Sequence, residues 1–122
     1  MSITDDASIA TLTRFLDLTM RRTELVMSNM ANIDTPGFKT RDVNFRQELE
    51  RASGDLDYAT FPSEGRLVRG LVERPDGNNV SLERESLLLA QTQLAFNAGV
   101  QLLRDRFKMI SSAIHGGSTS GS

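Results

Sequence analysis

The residues of this 122-residue chain that could do chemistry are few. There is one histidine, His115, and no cysteine, which removes disulfides, thiolate metal sites and cysteine nucleophiles. Catalysis needs titratable or nucleophilic groups converging on a concave site, and no nucleophile motif accompanies that single imidazole. His115 follows the last apolar residue of a helical pattern, where a cationic ring favours the negative end of a helix dipole, so a structural role outweighs a ligand role. The acidic pairs Asp5-Asp6, Asp55/Asp57 and Glu83/Glu85 read as helix caps and solvated loop charges in preference to acid/base dyads. No metal-ligand spacing is visible. Met20, Met27 and Met30 fall at helical spacing and read as gap fillers in a packed face rather than as cofactor contacts. The sequence thus predicts no catalytic, cofactor-binding or metal-binding residue, no small-molecule substrate, and a protein that is not an enzyme.

Charge narrows the partners further. Fourteen basic against sixteen acidic residues give a formal charge of −2, whereas non-specific nucleic-acid binding needs a concentrated basic surface, so no nucleic-acid partner is expected. The local doublet Arg21-Arg22 reads as a solvated helix face. The opening Met1-Ser2-Ile3-Thr4-Asp5-Asp6 lacks a basic n-region followed by an apolar h-region, and the longest aliphatic run, Leu87 to Ala90, is far too short to span a bilayer. Neither a cleaved signal nor a membrane anchor is expected.

What remains for the chain to do is pack, and its apolar residues are laid out for that. They concentrate in two blocks, residues 9 to 33 and 82 to 114, with a charged, Gly- and Pro-broken stretch between them. In the first block Ile9, Leu12, Leu16, Thr19, Thr23, Val26, Met30 and Ile33 alternate spacings of three and four, with Phe15, Leu18 and Leu25 widening the stripe, which predicts a long helix. It should start near Thr4 as cap and stop between Asn32 and Thr35, because Pro36 disfavours helix at the residue before it. Pro36-Gly37 suits the two central positions of a type II turn, so Thr35-Pro36-Gly37-Phe38 is a predicted chain reversal.

Gly54, Pro62, Gly65, Gly70, Pro75 and Gly77 break the middle too often for a long element. A short helix capped by Asp42 and running to about Ala52, with Phe45 and Leu49 on one face, fits inside it. Leu67-Val68 and Leu71-Val72 around Gly70 could form a weak strand or hairpin edge, and Pro75-Asp76-Gly77-Asn78 is a strong turn signal. Ser81 then caps a second long helix. Its best apolar row is Leu82, Leu89, Phe96, Val100, Leu103, Phe107, Ile110 and Ile114, a heptad-like packing seam; Leu88, Ala95, Leu102 and Met109 adjoin it. The apolar surface is wider than one helix can cover, so more than one neighbour is implied. Gly99, in the helix interior, costs about 1 kcal/mol relative to Ala; it either admits a close-packed helix or is simply tolerated.

The predicted fold is mainly α: long antiparallel N- and C-terminal helices, a coiled-coil-like pair, joined by a short irregular segment with at most minor β. The divisions are 1–38 for the first core helix and turn, 39–80 for the middle, 81–115 for the second core helix and 116–122 for a Gly/Ser tail, flexible by composition. Two such rods make a thin core, and in the free monomer the helix ends are expected to fray and to order on packing against neighbours.

Ser28-Asn29-Met30-Ala31-Asn32-Ile33-Asp34-Thr35-Pro36-Gly37-Phe38-Lys39 resembles the N-terminal signature of the bacterial flagellar rod and hook protein family, carried here by Ser28, Asn29, Ala31, Asn32, Thr35, Pro36, Gly37 and Phe38. Arg41-Asp42-Val43-Asn44-Phe45, and Asp76-Gly77-Asn78-Asn79-Val80-Ser81-Leu82-Glu83-Arg84-Glu85 at the start of the last helix, are similar to the proximal rod branch of that family rather than to its distal rod and hook members. The resemblance implies a structural subunit of the proximal rod of the flagellar basal body, in the periplasmic space. Its partners would be copies of itself, the other rod proteins, the rod adaptor FliE and the flagellar type III export apparatus, which passes such subunits unfolded without a cleaved signal. It also implies an export-gate motif, Phe-x-x-x-hydrophobic, which Phe45 and Leu49 match; an ordinary amphipathic face is the alternative. Another flagellar axial component, or an unrelated helical-hairpin adaptor or chaperone of secretion, are the competing readings. On the leading one, Val100→Asp should block assembly while sparing export, and Phe45→Ala should reduce export without weakening packing.

Overall fold

A computed structural model describes residues 3–53 and 65–118, with side chains from 7 to 51 and from 65 to 115. Helix α1 spans Ile3–Ala31, and α3 spans Leu82–Ser118. Between them lie strand β1, Arg41–Asp42, helix α2, Phe45–Ser53, and strand β2, Arg66–Leu67. At 1.5 Å per residue the 29 residues of α1 and the 37 of α3 are rods about 44 and 56 Å long. They run antiparallel against each other, and the mainly α architecture with minor β is as the periodicity predicts.

The local signals that end and begin the long helices act as their chemistry requires. After α1, Phe38 N–H donates to Thr35 C=O at 3.2 Å, closing the turn, and Gly37 takes φ +76°, the left-handed conformation a type II turn needs at its third residue. Before α3, Ser81 Oγ accepts from Arg84 N–H at 3.2 Å, a standard N-cap bond that satisfies one of the four free amides of the first turn. The turn at residues 74–77 closes through Gly77 N–H to Arg74 C=O at 2.8 Å.

Several expectations are corrected. Helix α1 already includes Ile3, ahead of the predicted Thr4 start. Helix α2 is capped by Asn44, whose Oδ1 accepts from Gln47 N–H at 3.2 Å; Asp42 is drawn away by two arginines, described below. The β pairing does not fold back across Gly70. Instead β2 pairs antiparallel with β1, Arg41 opposite Leu67 and Asp42 opposite Arg66, because β1 leaves the turn already lying along α1. Helix α3 continues to Ser118, past the predicted end at His115. Asp55 and Asp57 lie outside the described residues, as do the side chains of Asp5 and Asp6.

The core is small. Leu18 and Leu25 of α1 and Val43 are buried together, and Phe45 and Leu49 of α2 pack against them. Further along the hairpin the two long helices approach at Gly99, where an added Cβ would sit 2.8 Å from Leu16 Cδ2 and 3.1 Å from Phe15 Cδ1. Gly99 therefore serves close helix approach, which outweighs its cost in helix propensity. Gly99→Ala requires the end of Leu16 to shift and the Phe15 ring to give by a few tenths of an ångström, which offsets the gain in helix propensity, and is expected to be nearly neutral. Gly99→Val adds two more carbons against the same ring and should destabilise by about 1–3 kcal/mol, read as a lowered midpoint in urea unfolding.

Candidate functional site

The polar residues of the signature and of the runs 41–45 and 76–85 meet where α1 ends, β1 begins and α3 starts, and Asn29, Asn78, Asn79 and Glu85 among them are buried. Asn29, in the last turn of α1, is sealed inside. Its Nδ2 donates to Arg41 C=O at 2.8 Å and to Glu85 Oε2 at 3.1 Å, and its Oδ1 accepts from Arg41 N–H at 3.1 Å. One amide side chain thus stitches α1 to β1 and to the first turn of α3, using both donors and its acceptor.

Glu85 is fully buried, contrary to its expected place as a solvated cap charge. A buried carboxylate is tolerated only when paired and hydrogen-bonded. Both conditions are met: Glu85 accepts from Asn29 on one oxygen and from Arg84 Nη1 at 2.8 Å on the other. Arg84 Nη2 reaches Asp42 Oδ2 at 3.3 Å, and Asp42 is gripped from the other side by Arg22, with Nε to Oδ1 at 2.9 Å and Nη2 to Oδ2 at 3.0 Å. Arg22 is consequently half of a bidentate pair rather than part of a solvated face; its neighbour Arg21 pairs locally with Glu24 at 2.6 Å. A continuous chain of charge runs from Arg22 through Asp42 and Arg84 to Glu85, linking α1, β1 and α3.

A second set of bonds fixes the turn. Asn78 is fully buried; its Nδ2 donates to Asn32 C=O and Thr35 C=O, both at 2.8 Å, and its Oδ1 accepts from Val80 N–H at 2.8 Å. Each of these carbonyls also accepts a backbone N–H, Asn32 C=O from Thr35 at 3.0 Å and Thr35 C=O from Phe38 at 3.2 Å, so Asn78 fills the second lone pair of both. Asn32 in turn holds Thr35, whose Oγ1 donates to Asn32 Oδ1 at 3.0 Å. Asn79 Oδ1 accepts from Thr40 N–H at 2.6 Å, Gly37 N–H donates to Asp76 C=O at 2.9 Å, and Arg74 donates to Val80 C=O at 2.9 Å and to Ile33 C=O. The loop before α3 is thereby laced to the turn after α1 over a sequence separation of about forty residues.

The chemistry of this assembly is fastening. Among the described residues no group of His, Asp and Glu gathers as metal ligands. Of the signature residues, Asn29, Asn32, Thr35 and Gly37 carry the clasp; Phe38 is half-buried and offers its carbonyl to Asn79 N–H at 3.3 Å, while Ser28, Ala31 and Pro36 are exposed. Asn78, Asn79, Glu85, Arg84, Arg22, Asp42 and Thr40 were not singled out as site residues. The signal that could have found most of them is the two runs 41–45 and 76–85, which hold five of the seven.

The clasp thus ties together two segments far apart in the sequence. No protein-family model matches the chain. It is similar to the flagellar basal body rod protein FlgB of Cereibacter sphaeroides, 36% identical over 107 residues that cover 78% of this chain and 84% of that one. The FlgB of Yersinia enterocolitica is 30% identical, with coverage of 84% and 89%. The FlgB of Salmonella typhimurium is 27% identical, with coverage of 92% and 96%. The chain belongs to the FlgB family of flagellar basal body rod proteins.

Membership of the FlgB family removes the unrelated chaperone reading and turns attention to what the clasp leaves outside. Along α3 the side facing α1 is the row Glu85, Thr92 and Gly99, all buried and none a large apolar residue. The predicted seam flanks that row. Its members Leu89, Phe96, Val100, Leu103 and Ile110 are half-buried, whereas Leu82, Phe107 and Ile114 are more than half exposed. On the far side, about half a turn from Thr92 at roughly 100° per residue, Leu94 is 72% exposed and Leu87 lies one heptad before it. Leu102 and Met109, both mostly exposed, border a groove of about 700 Å³ against Ala7, Ser8, Thr11 and Leu12 of α1. Among the described residues no helix is long and apolar enough to cross a membrane.

Proposed function

We propose that this chain is a non-enzymatic structural subunit of the proximal rod of the flagellar basal body, carrying motor torque through the packing of its terminal helices. One observation carries the reading: beyond the side that α1 covers, α3 holds the large apolar side chains of Leu87, Leu94, Leu102, Phe107, Met109 and Ile114 more than half exposed. Apolar surface of that extent on a helix marks an interaction face, and the chain itself leaves it uncovered. The clasp supplies the complementary property, a stiff joint between α1 and α3 at one end of the hairpin, so that load on one helix passes to the other.

On this reading the partners are other copies of the chain, the neighbouring rod proteins and the rod adaptor FliE, in the periplasmic part of the basal body. The chain reaches that place through the flagellar type III export apparatus, and Phe45 with Leu49, one helical turn apart on α2, is the motif the export gate reads. Membership of the FlgB family and the absence of a membrane-spanning helix among the described residues support this placement. Deleting the gene is expected to abolish every external flagellar structure while leaving the inner-membrane ring in place, as seen by electron microscopy of isolated basal bodies. Normal filaments in the deletion strain would refute a rod role.

A further inference from the structure

The two side chains assigned to export recognition are already engaged inside the fold. The Phe45 ring meets Phe15 edge-on, with centroids 5.4 Å apart and planes at 74°, and the Arg22 guanidinium lies 5.4 Å from its centre. Leu49, one turn later on the same face of α2, packs with Phe45 against the buried cluster of Leu18, Leu25 and Val43. Glu48, between them on that face, is only 2% exposed. The outward face of α2 carries Arg46, Gln47 and Glu50, so a receptor approaching docked α2 meets polar groups.

We propose that docking of α2 onto α1 is an autoinhibitory contact that hides the export motif, so that the gate reads the chain only while α2 is undocked. This rests on the assignment of Phe45 and Leu49 as the gate motif. Its consequence is directional: a subunit loses its export address at the moment it folds, and a folded copy does not compete with chains still awaiting export. Where the binding-competent state is a small fraction of molecules, apparent affinity falls by that fraction. Loosening the seat of α2 from the α1 side should therefore raise recognition without altering the motif.

The test uses full-length folded chain and inverted inner-membrane vesicles that carry the export apparatus, with vesicles lacking it as the blank. Leu25→Ala and Leu18→Ala loosen the seat, and hydrogen exchange across residues 45–53 in the same samples measures how far α2 has opened. Each is made with and without Phe45→Ala, so that binding through the motif is obtained by difference. Motif-dependent binding is expected to rise in step with α2 opening, about tenfold for a tenfold rise in the open fraction. Faster exchange in α2 with no rise in motif-dependent binding overturns the occlusion while leaving the motif standing. Binding indifferent to Phe45→Ala in every background overturns the motif assignment itself, and the proposal with it.

Discussion

Asp42→Ala is expected to destabilise the monomer by about 2–4 kcal/mol, the largest stability effect of any single side chain outside the apolar core. Asp42 is the one anion between Arg22 and Arg84, and its side chain is only 12% exposed. Removing it leaves Arg22 three-quarters buried beside Phe45 with its bidentate partner gone. It also takes away the acceptor that Val43 N–H uses at 2.7 Å, where the chain turns from β1 into α2. Arg84 suffers less, because Glu85 still accepts from it at 2.8 Å. Removing a single partner from a part-buried pair costs more than the pair contributes, since the survivor keeps its desolvation penalty. Arg22→Met in the same background should therefore recover part of the loss, and a double-mutant cycle should give a coupling of about 1–3 kcal/mol between Asp42 and Arg22. Thermal unfolding followed by circular dichroism measures both. A loss below about 0.5 kcal/mol for Asp42→Ala would mean that the clasp contributes no more than an exposed ion pair.

This clasp also marks the boundary of what the sequence discloses. Elements governed by near neighbours were legible: the two long helices from their three-and-four spacing, the end of α1 ahead of Pro36, which falls at Ala31 just before the expected Asn32 to Thr35, the turn from Gly37, the cap from Ser81. The partners of Asp42 were not. Arg22 and Arg84 lie twenty residues before it and forty-two after it, and an Asp just ahead of an amphipathic segment is, read locally, a cap. Asn44 took that role once tertiary pairing claimed Asp42.

The seam of α3 was displaced for a related reason. Periodicity finds the row with the largest apolar side chains, whereas the row turned to α1 is Glu85, Thr92 and Gly99, a paired charge, a hydroxyl and a glycine. Such a row is invisible to hydrophobicity and is chosen by fit: Gly99 lets Phe15 and Leu16 in, and Glu85 meets Asn29. The large apolar residues of the predicted seam are divided: Leu89, Phe96, Val100, Leu103 and Ile110 are half-buried within the chain, whereas Leu82, Phe107 and Ile114 stand mostly exposed. Phe45 shows the converse. Its packing against Phe15 means that Phe45→Ala cannot spare the fold, as expected from sequence, so a loss of export in that variant has to be read beside its unfolding curve.

The open sides carry the prediction with the largest effect on function. Leu94→Asp should abolish motility and rod assembly while shifting monomer stability by no more than about 0.5 kcal/mol. Leu94 is 72% exposed and points away from α1, so the monomer loses nothing by carrying a carboxylate there. In an assembly that buries this side, the same carboxylate would be desolvated with no cation built to meet it, at a cost of several kcal/mol for each copy. Val100→Asp, the substitution the seam first suggested, is a poorer probe because Val100 is half-buried within the chain, and its failure to assemble would mix misfolding with lost contact. The decisive comparison is therefore Leu94→Asp against Leu94→Met, which keeps the apolar surface. Motility on soft agar, export of the subunit into the medium and unfolding of the purified chain separate the three steps. Lost motility with intact export and stability locates the defect in packing between subunits. Unimpaired swimming in Leu94→Asp would show that this side of α3 stays in water, and the torque-bearing contact would then have to lie on the side of Leu82 and Phe107.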